Sequence, residues 1–348
     1  MILDRIARCP GLRVLASVGN ELYASRGYTI LRTALEDPVN LDWHSVAHVR
    51  PSLRRRASIT NRLTARLFRD GFHALTVLRS GVLIGAVPGS IVTLLPGQNE
   101  FHETHAITRG TRPLHITSVP NGIVYWGEYF DNAGRDEVHI YASVDDGKTW
   151  SPAYTFPKGT IRHVHNIVHD PWGNCLWILT GDYRDECRIL RASYDLSQVE
   201  VVMKGNQQAR AVAAVPTENA LYFSSDTPLE SNHIYELDRQ RKLTRLSGIS
   251  SSSIYGCRVG TRMFFSTMVE PSEANPDRNV RLFGAEVARP DDWQPLLAWQ
   301  KDFLSMGLFQ YGNAFLPDGQ NDSPYLALST IAVDSDDMVL SLYRIREI

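Results

Sequence analysis

Short apolar runs separated by polar turns recur along most of the chain, and few of them have the length or period of a helix. The clearest are LHITSVPNGIVYWGEYF, HVHNIVHDPWGNCLWILTGDY, ARAVAAVPTENALYFSSD, SIYGCRVGTRMFFSTMVE and YGNAFLPDGQNDSPYLALST. Each reads as an apolar strand, a turn, and a second strand that ends in a polar loop. With Pro120, Asp170, Pro216, Gly260 and Pro317 as turn markers, the spacing is roughly 44 to 57 residues, inside the range of propeller blades. Further strands such as VHIYASVDD and RILRASYD follow within the units, giving three to four strands each. Upstream, FHALTVLRSGVLIGAVPGSIVTLL and RVLASVGNELYASRGYTILR read as two more units, and MVLSLYRI is available to complete a ring. The pattern predicts an all-β, seven-bladed β-propeller, with six or eight blades as the alternatives. One blade cannot bury both of its faces, so a single domain is expected over residues 1–348.

Residues 33–71 break this pattern. In PSLRRRASITNRLTARLFRDGF, Leu53, Ile59, Leu63 and Leu67 fall among Arg54, Arg55, Arg56, Arg62, Arg66 and Arg69 at helical spacing. This predicts a helical insertion after the first blade, docked by its apolar face with its basic face in solvent. The functional alternatives are a lid over an anionic ligand, or a contact with a partner or a membrane.

Composition narrows the function classes. Hydrophobic residues make up 43% and charged residues 21% of the 348, an ordinary globular balance that excludes disorder and collagen-like chains. A net charge of -2 supplies no global attraction for nucleic acid, so no nucleic-acid partner is expected. Arg79, Ser80 and several glycines interrupt the longest apolar stretch well short of the ~20 residues of a membrane span. Cys9, Cys175, Cys187 and Cys257 form no CxxC pair, and the N-terminal residues lack the apolar run of a signal peptide. Four scattered thiols and no visible signal predict a cytoplasmic protein.

One motif carries a resemblance. Ser143, Asp145, Gly147 and Trp150 in SVDDGKTW match S-x-D-x-G-x-x-W, and Ser193 and Asp195 in SYDLSQVE stand as a degenerate second copy. The chain thereby resembles the Asp-box (BNR-repeat) propellers of the sialidase-like superfamily. Physically the motif is a turn device: the aspartate accepts backbone N–H groups, glycine supplies permissive φ, and tryptophan packs as a plug. The superfamily includes glycosidases, polysaccharide lyases, receptors and non-catalytic scaffolds, so the resemblance implies a fold and a carbohydrate context. Arg26 in ASRGYT stands near the start, where sialidases carry an Arg-Ile-Pro-type motif, but the proline is absent.

In a propeller, the loop leading into the innermost strand and the loop leaving the second strand emerge on one face. At the first set of loops stand Arg112, His115, His163, His165, Gln208, Arg210, Tyr255, Gln310, Tyr311 and Asn313. At the second stand Glu128, Asp131, Asp182, Tyr183, Asp226, Glu230 and Glu270. This convergence predicts a polar funnel for a hydroxyl-rich or anionic ligand, although strand ends are also polar simply because they leave the core. A hydrolase would draw its acid and its base or nucleophile from Glu128, Asp182, Asp226 and Glu270. A uronate lyase would use Arg210 to neutralise the substrate carboxylate, with His165 and Tyr255 for proton transfer; some seven-bladed polysaccharide lyases use such a set. Arg26, Arg112, His115, His163, Tyr183, Arg210 and Tyr311 are the expected substrate-binding residues. Strand alternation puts His163 and His165 on one face, where they could bind a metal with His169 or His115; the leading expectation is no cofactor. The sequence thus predicts a glycoside hydrolase acting on a polysaccharide or oligosaccharide, acidic ones included. A uronate polysaccharide lyase and a non-catalytic glycan-binding or assembly scaffold are the alternatives.

Overall fold

The computed structural model describes residues 1–346. Its strands divide between two compact units, one comprising Met1–Phe72, Gln98–Phe101 and Ser250–Ile348, the other His73–Gly97 and His102–Ile249.

The second unit consists of four antiparallel meanders, each four-stranded and each following chain order. The third shows why these residues form such a sheet. Its strands are His163–Asp170, Cys175–Gly181, Arg188–Ala192 and Val199–Lys204. Every residue of Cys175–Gly181 is buried, so the strand reads as a continuous apolar run covered on both faces, whereas Val199–Lys204 at the edge has no buried residue. Consecutive meanders share cores. Tyr125, Ile140 and Phe156 of the second pack with Val164, Ile167 and Ile178 of the third. Trp177, Leu179 and Ile189 of the third pack with Leu221, Phe223 and Tyr235 of the fourth.

The first unit joins the two ends of the chain. Ile2–Pro10 pairs antiparallel with Val339–Arg346, and Tyr325–Ile331 and Asn313–Phe315 complete that four-stranded sheet. Its other sheet is nine-stranded. Asp318–Asn321 pairs in parallel with Arg13–Gly19 on one side and meets Ser253–Val259 on the other, fusing two antiparallel meanders. Seven separate blades are therefore not what the pairing shows: five four-stranded sheets stand alone and the remaining strands share one sheet.

The segment 33–71 also departs from expectation. Its start completes the strand Thr29–Ala34, and His44–His48 pairs with that strand. Only Leu53–Ser58 (α1) and Arg62–Phe68 (α2) are helical, six and seven residues long. Asn61 caps α2 by accepting from the Leu63 and Thr64 amides, 3.0 Å each. Arg54, Arg56, Arg62 and Arg69 are exposed as expected, but Leu53, Leu63 and Leu67 are exposed too, and Arg66 is fully buried.

The sequence SVDDGKTW forms the turn between Val138–Ser143 and Ser151–Phe156. Asp145 Oδ1 accepts the amides of Lys148 (3.1 Å) and Thr149 (2.9 Å), while Ser143 Oγ accepts that of Gly147 at 2.8 Å. Burial opposes ionisation of Asp145, but these donors outweigh it and hold its carboxyl below the usual value. The Ser193–Asp195 turn of the next sheet repeats the device, with the Asp195 pKa lowered to about 2 by the hydroxyls of Ser193 and Ser197. Asp238, at the equivalent turn of the fourth meander, accepts the Gln240 and Lys242 amides. Gly147 has φ +77°, and a Cβ there would lie 2.5 Å from Ile84 Cδ1. Gly147→Ala is therefore expected to destabilise the protein by ~1–3 kcal/mol, read as a lower urea midpoint at constant slope.

Candidate functional site

The third meander presents a buried charged cluster at the start of its first strand and the end of its second. His163 pairs with Gly181 across the two strands, and the register shifts between Val164 and Asn166, so His165 sits in an irregularity. Its imidazole lies against Gly181, where a Cβ would come within 2.8 Å of His165 Cε1 and 3.3 Å of Arg210 Cγ. Glycine is required at that position to admit the ring.

Both histidines are almost completely buried. His163 Nδ1 lies 3.0 Å from the Phe130 carbonyl and His165 Nδ1 2.9 Å from the Ala211 carbonyl. A carbonyl can only accept, so each ring carries a hydrogen on Nδ1 and turns Nε2 inward. The two Nε2 atoms are 3.1 Å apart. Asp182 faces both, with Oδ1 3.2 Å from His165 Nε2 and Oδ2 3.5 Å from His163 Nε2. The Tyr129 ring covers His163 at a centroid distance of 4.3 Å.

Two arginines close the group around Asp182. Arg162 Nη1 is 3.2 Å from Asp182 Oδ2, and its Nη2 pairs with Asp131. Arg210 Nη2 bridges Asp182 Oδ1 at 3.3 Å and Asp226 Oδ2 at 3.5 Å. Gln207 fixes the backbone by donating to the Asp182 carbonyl at 3.0 Å while accepting from Thr227 at 2.6 Å. Burial alone would push the Asp182 carboxyl up; the hydrogen bonds and charge of His163 and His165 outweigh it and hold the group well below the usual range. Burial lowers the His163 pKa by more than Asp182 raises it. At the rim Tyr183 is 44% exposed, its ring 5.8 Å from the Arg162 guanidinium and 5.9 Å from that of Arg135. The cluster sets two guanidiniums on one carboxylate, with an exposed aromatic ring at its edge.

His163, His165, Asp182, Tyr183, Arg210 and Asp226 are thus brought together. Glu128 belongs to the same unit but is engaged elsewhere: Arg109 grips both its oxygens, at 2.9 Å to Oε1, and the His139 amide donates to Oε2 at 2.8 Å. Arg112 and His115 are half-buried residues of this unit. Arg26, Tyr255, Glu270 and Tyr311 belong to the other unit. There Arg26 is exposed at a strand end, and Tyr255 packs edge-on against Phe315 at 5.1 Å beside Arg13. Sequence reasoning missed Arg109, Tyr129 and Arg162. Arg162 directly precedes His163, and a cation at that loop position was the available signal; nothing local marks Arg109 as the partner of Glu128. Among the described residues, His163, His165 and Asp182 are the group whose ligand atoms, all within 4.8 Å of one another, could hold a metal ion.

No protein-family model matches this sequence, and no curated protein matches it. Solved structures do resemble it. A chain of the mitotic checkpoint complex aligns with TM-score 0.60 and 11% identity over 99% of this chain and 95% of that one. The WD40 β-propeller domain of Doa1 aligns with TM-score 0.58 and 9% identity, covering 99% and 97%. A GH74 enzyme of Niastella koreensis aligns with TM-score 0.53 and 16% identity over 85% of this chain and 47% of that chain. The protein has an all-β, β-propeller fold, and identities this low speak to fold alone. No helix among the described residues is long and apolar enough to cross a membrane.

Proposed function

We propose that the protein is a carbohydrate-active enzyme that cleaves an acidic polysaccharide or oligosaccharide by β-elimination, with the Asp182 cluster as its reacting centre. The observation that carries this reading is the convergence of Arg162, Arg210 and two buried imidazoles on Asp182, beside the exposed hydroxyl-bearing ring of Tyr183. Elimination requires neutralisation of a uronate carboxylate, because negative charge develops on it as the neighbouring carbon loses its proton. Arg162 and Arg210 supply that charge. Tyr183, as its phenolate, takes the proton, the released electron pair forms the carbon–carbon double bond, and the glycosidic C–O bond breaks as the Tyr183 hydroxyl returns that proton to the leaving oxygen. Tyr183 here takes the role that the sequence suggested for Tyr255.

Glycoside hydrolysis is the second reading, favoured by the buried carboxyls of Asp182 and Asp226 on either side of Arg210. It needs one carboxyl to donate a proton. Glu128, Asp182 and Asp226 are each paired with arginine, which favours their ionised forms and makes elimination the better fit. We also read the nine-stranded sheet as two blades bridged by Asp318–Asn321, which with the five separate sheets makes seven, α1 and α2 standing between two of them. The three aspartate turns fit the Asp-box resemblance as a structural device.

The test is product analysis on a panel of uronate-containing and neutral glycans. Elimination is expected to produce an ultraviolet-absorbing unsaturated uronate end, and Tyr183→Phe is expected to lower kcat by ~100-fold or more with little change in KM. New reducing ends without that absorbance would favour hydrolysis. No turnover on any glycan would favour a binding scaffold.

A further inference from the structure

We infer that His163, His165 and Asp182 bind one divalent transition-metal cation. This deepens the reading above, resting on the same cluster, but its evidence is coordination geometry and its test does not require turnover.

The Nε2 atoms of His163 and His165 and the Asp182 carboxylate face one another. The Phe130 and Ala211 carbonyls occupy both Nδ1–H groups, so the two Nε2 atoms and the Asp182 carboxylate converge on one small volume. Lone pairs aimed at each other at 3.1 Å repel unless positive charge lies between them.

The spacing suits an ion. Tetrahedral bonds of about 2.0–2.1 Å put neighbouring ligand atoms about 3.3 Å apart. The imidazole nitrogens are 3.1 Å apart and meet different oxygens of the carboxylate, His165 at 3.2 Å from Oδ1 and His163 at 3.5 Å from Oδ2; one ligand atom from each residue lies within 4.8 Å of the others. The surroundings have the character of a metal site as well. Each imidazole is oriented through its other nitrogen by a backbone carbonyl, and Gln207 anchors the carbonyl of the carboxylate residue. Two imidazoles and one carboxylate suit zinc or another first-row divalent ion, and three protein ligands leave a position for water or substrate. A cation held here adds to the positive charge of Arg162 and Arg210 that would meet a substrate carboxylate.

The competing occupant is a proton shared between the imidazoles. Metal-stripped full-length protein, dialysed against Zn(II) at pH 8, separates the two. The expected result is one zinc per chain by elemental analysis and a raised Tm, with His165→Gln and His163→Gln each abolishing stoichiometric binding. Co(II) loading of the unaltered protein is expected to give the strong visible absorption of a low-coordinate N/O site, which needs no variant to fold. Absence of zinc, a purely aquo-type Co(II) spectrum, or folded histidine variants that bind as the parent does would each overturn the inference. Zinc binding without turnover on any glycan would leave the metal site standing and remove the lyase reading; chelator-resistant turnover by metal-free protein would do the reverse.

Discussion

Asp182→Asn is expected to abolish turnover and to destabilise the fold by about 3–5 kcal/mol. Asp182 is the shared anion for Arg162, Arg210, His163 and His165, and its side chain is only 11% exposed. The amide keeps the shape and removes the charge. Arg162 retains the exposed Asp131 and Arg210 retains Asp226, but both lose the buried carboxylate that draws them together, and two guanidiniums remain close in a poorly hydrated place. Urea unfolding with an unchanged slope checks the stability, and activity is measured well below the lowered midpoint so that unfolding does not mimic a catalytic loss. A loss of less than ~1 kcal/mol would mean that the cluster is hydrated like a surface ion pair.

Arg66→Met, in the other unit, is expected to cost a similar amount, about 3–5 kcal/mol. The Arg66 side chain has no exposed surface. It donates to Asp302 at 2.5 Å, to Asp337 at 3.1 Å, and to the Phe309 carbonyl at 3.0 and 2.7 Å. Removing it leaves Asp302 with Lys301 and Asp337 with Arg62, takes away the buried guanidinium that both share, deprives the Phe309 carbonyl of two donors, and loosens α2 from the 302–309 segment. Lysine preserves the charge but cannot reproduce the planar fork, so Arg66→Lys is expected to recover only part of the loss. Arg54→Ala, an exposed position on α1, is the control and is expected to stay within ~0.5 kcal/mol.

Arg66 also marks where sequence reasoning stops. Six arginines at helical spacing read as a solvated basic face, because long-range partners are invisible in a local pattern. The acids that bury Arg66 lie 236 and 271 residues further on. The same limit hides the pairing of Arg109 with Glu128, and the role of Asp318–Asn321, whose DGQN sequence reads as a turn although its backbone bridges two strands in parallel. What was legible depended on interactions close in sequence. The apolar run of Cys175–Gly181 declares a buried strand, and the Asp145 and Asp195 turns are built from groups within five residues. The site was legible to the extent that His163 and His165 stand two apart at a strand start and that Asp182 directly follows the adjacent strand; the irregularity at His165 was not legible. Which charges gather there is decided by the meeting of separate strands, and no spacing rule carries that information.

The most direct test of the Asp182 cluster as a reacting centre is the initial rate of unsaturated-uronate formation from an acidic glycan, by the parent protein and by folded Asp182→Asn. Ultraviolet absorbance that grows with the parent and is absent with the variant is the expected result. Equal rates from both, or glycan cleavage by the parent without the unsaturated product, would contradict the account.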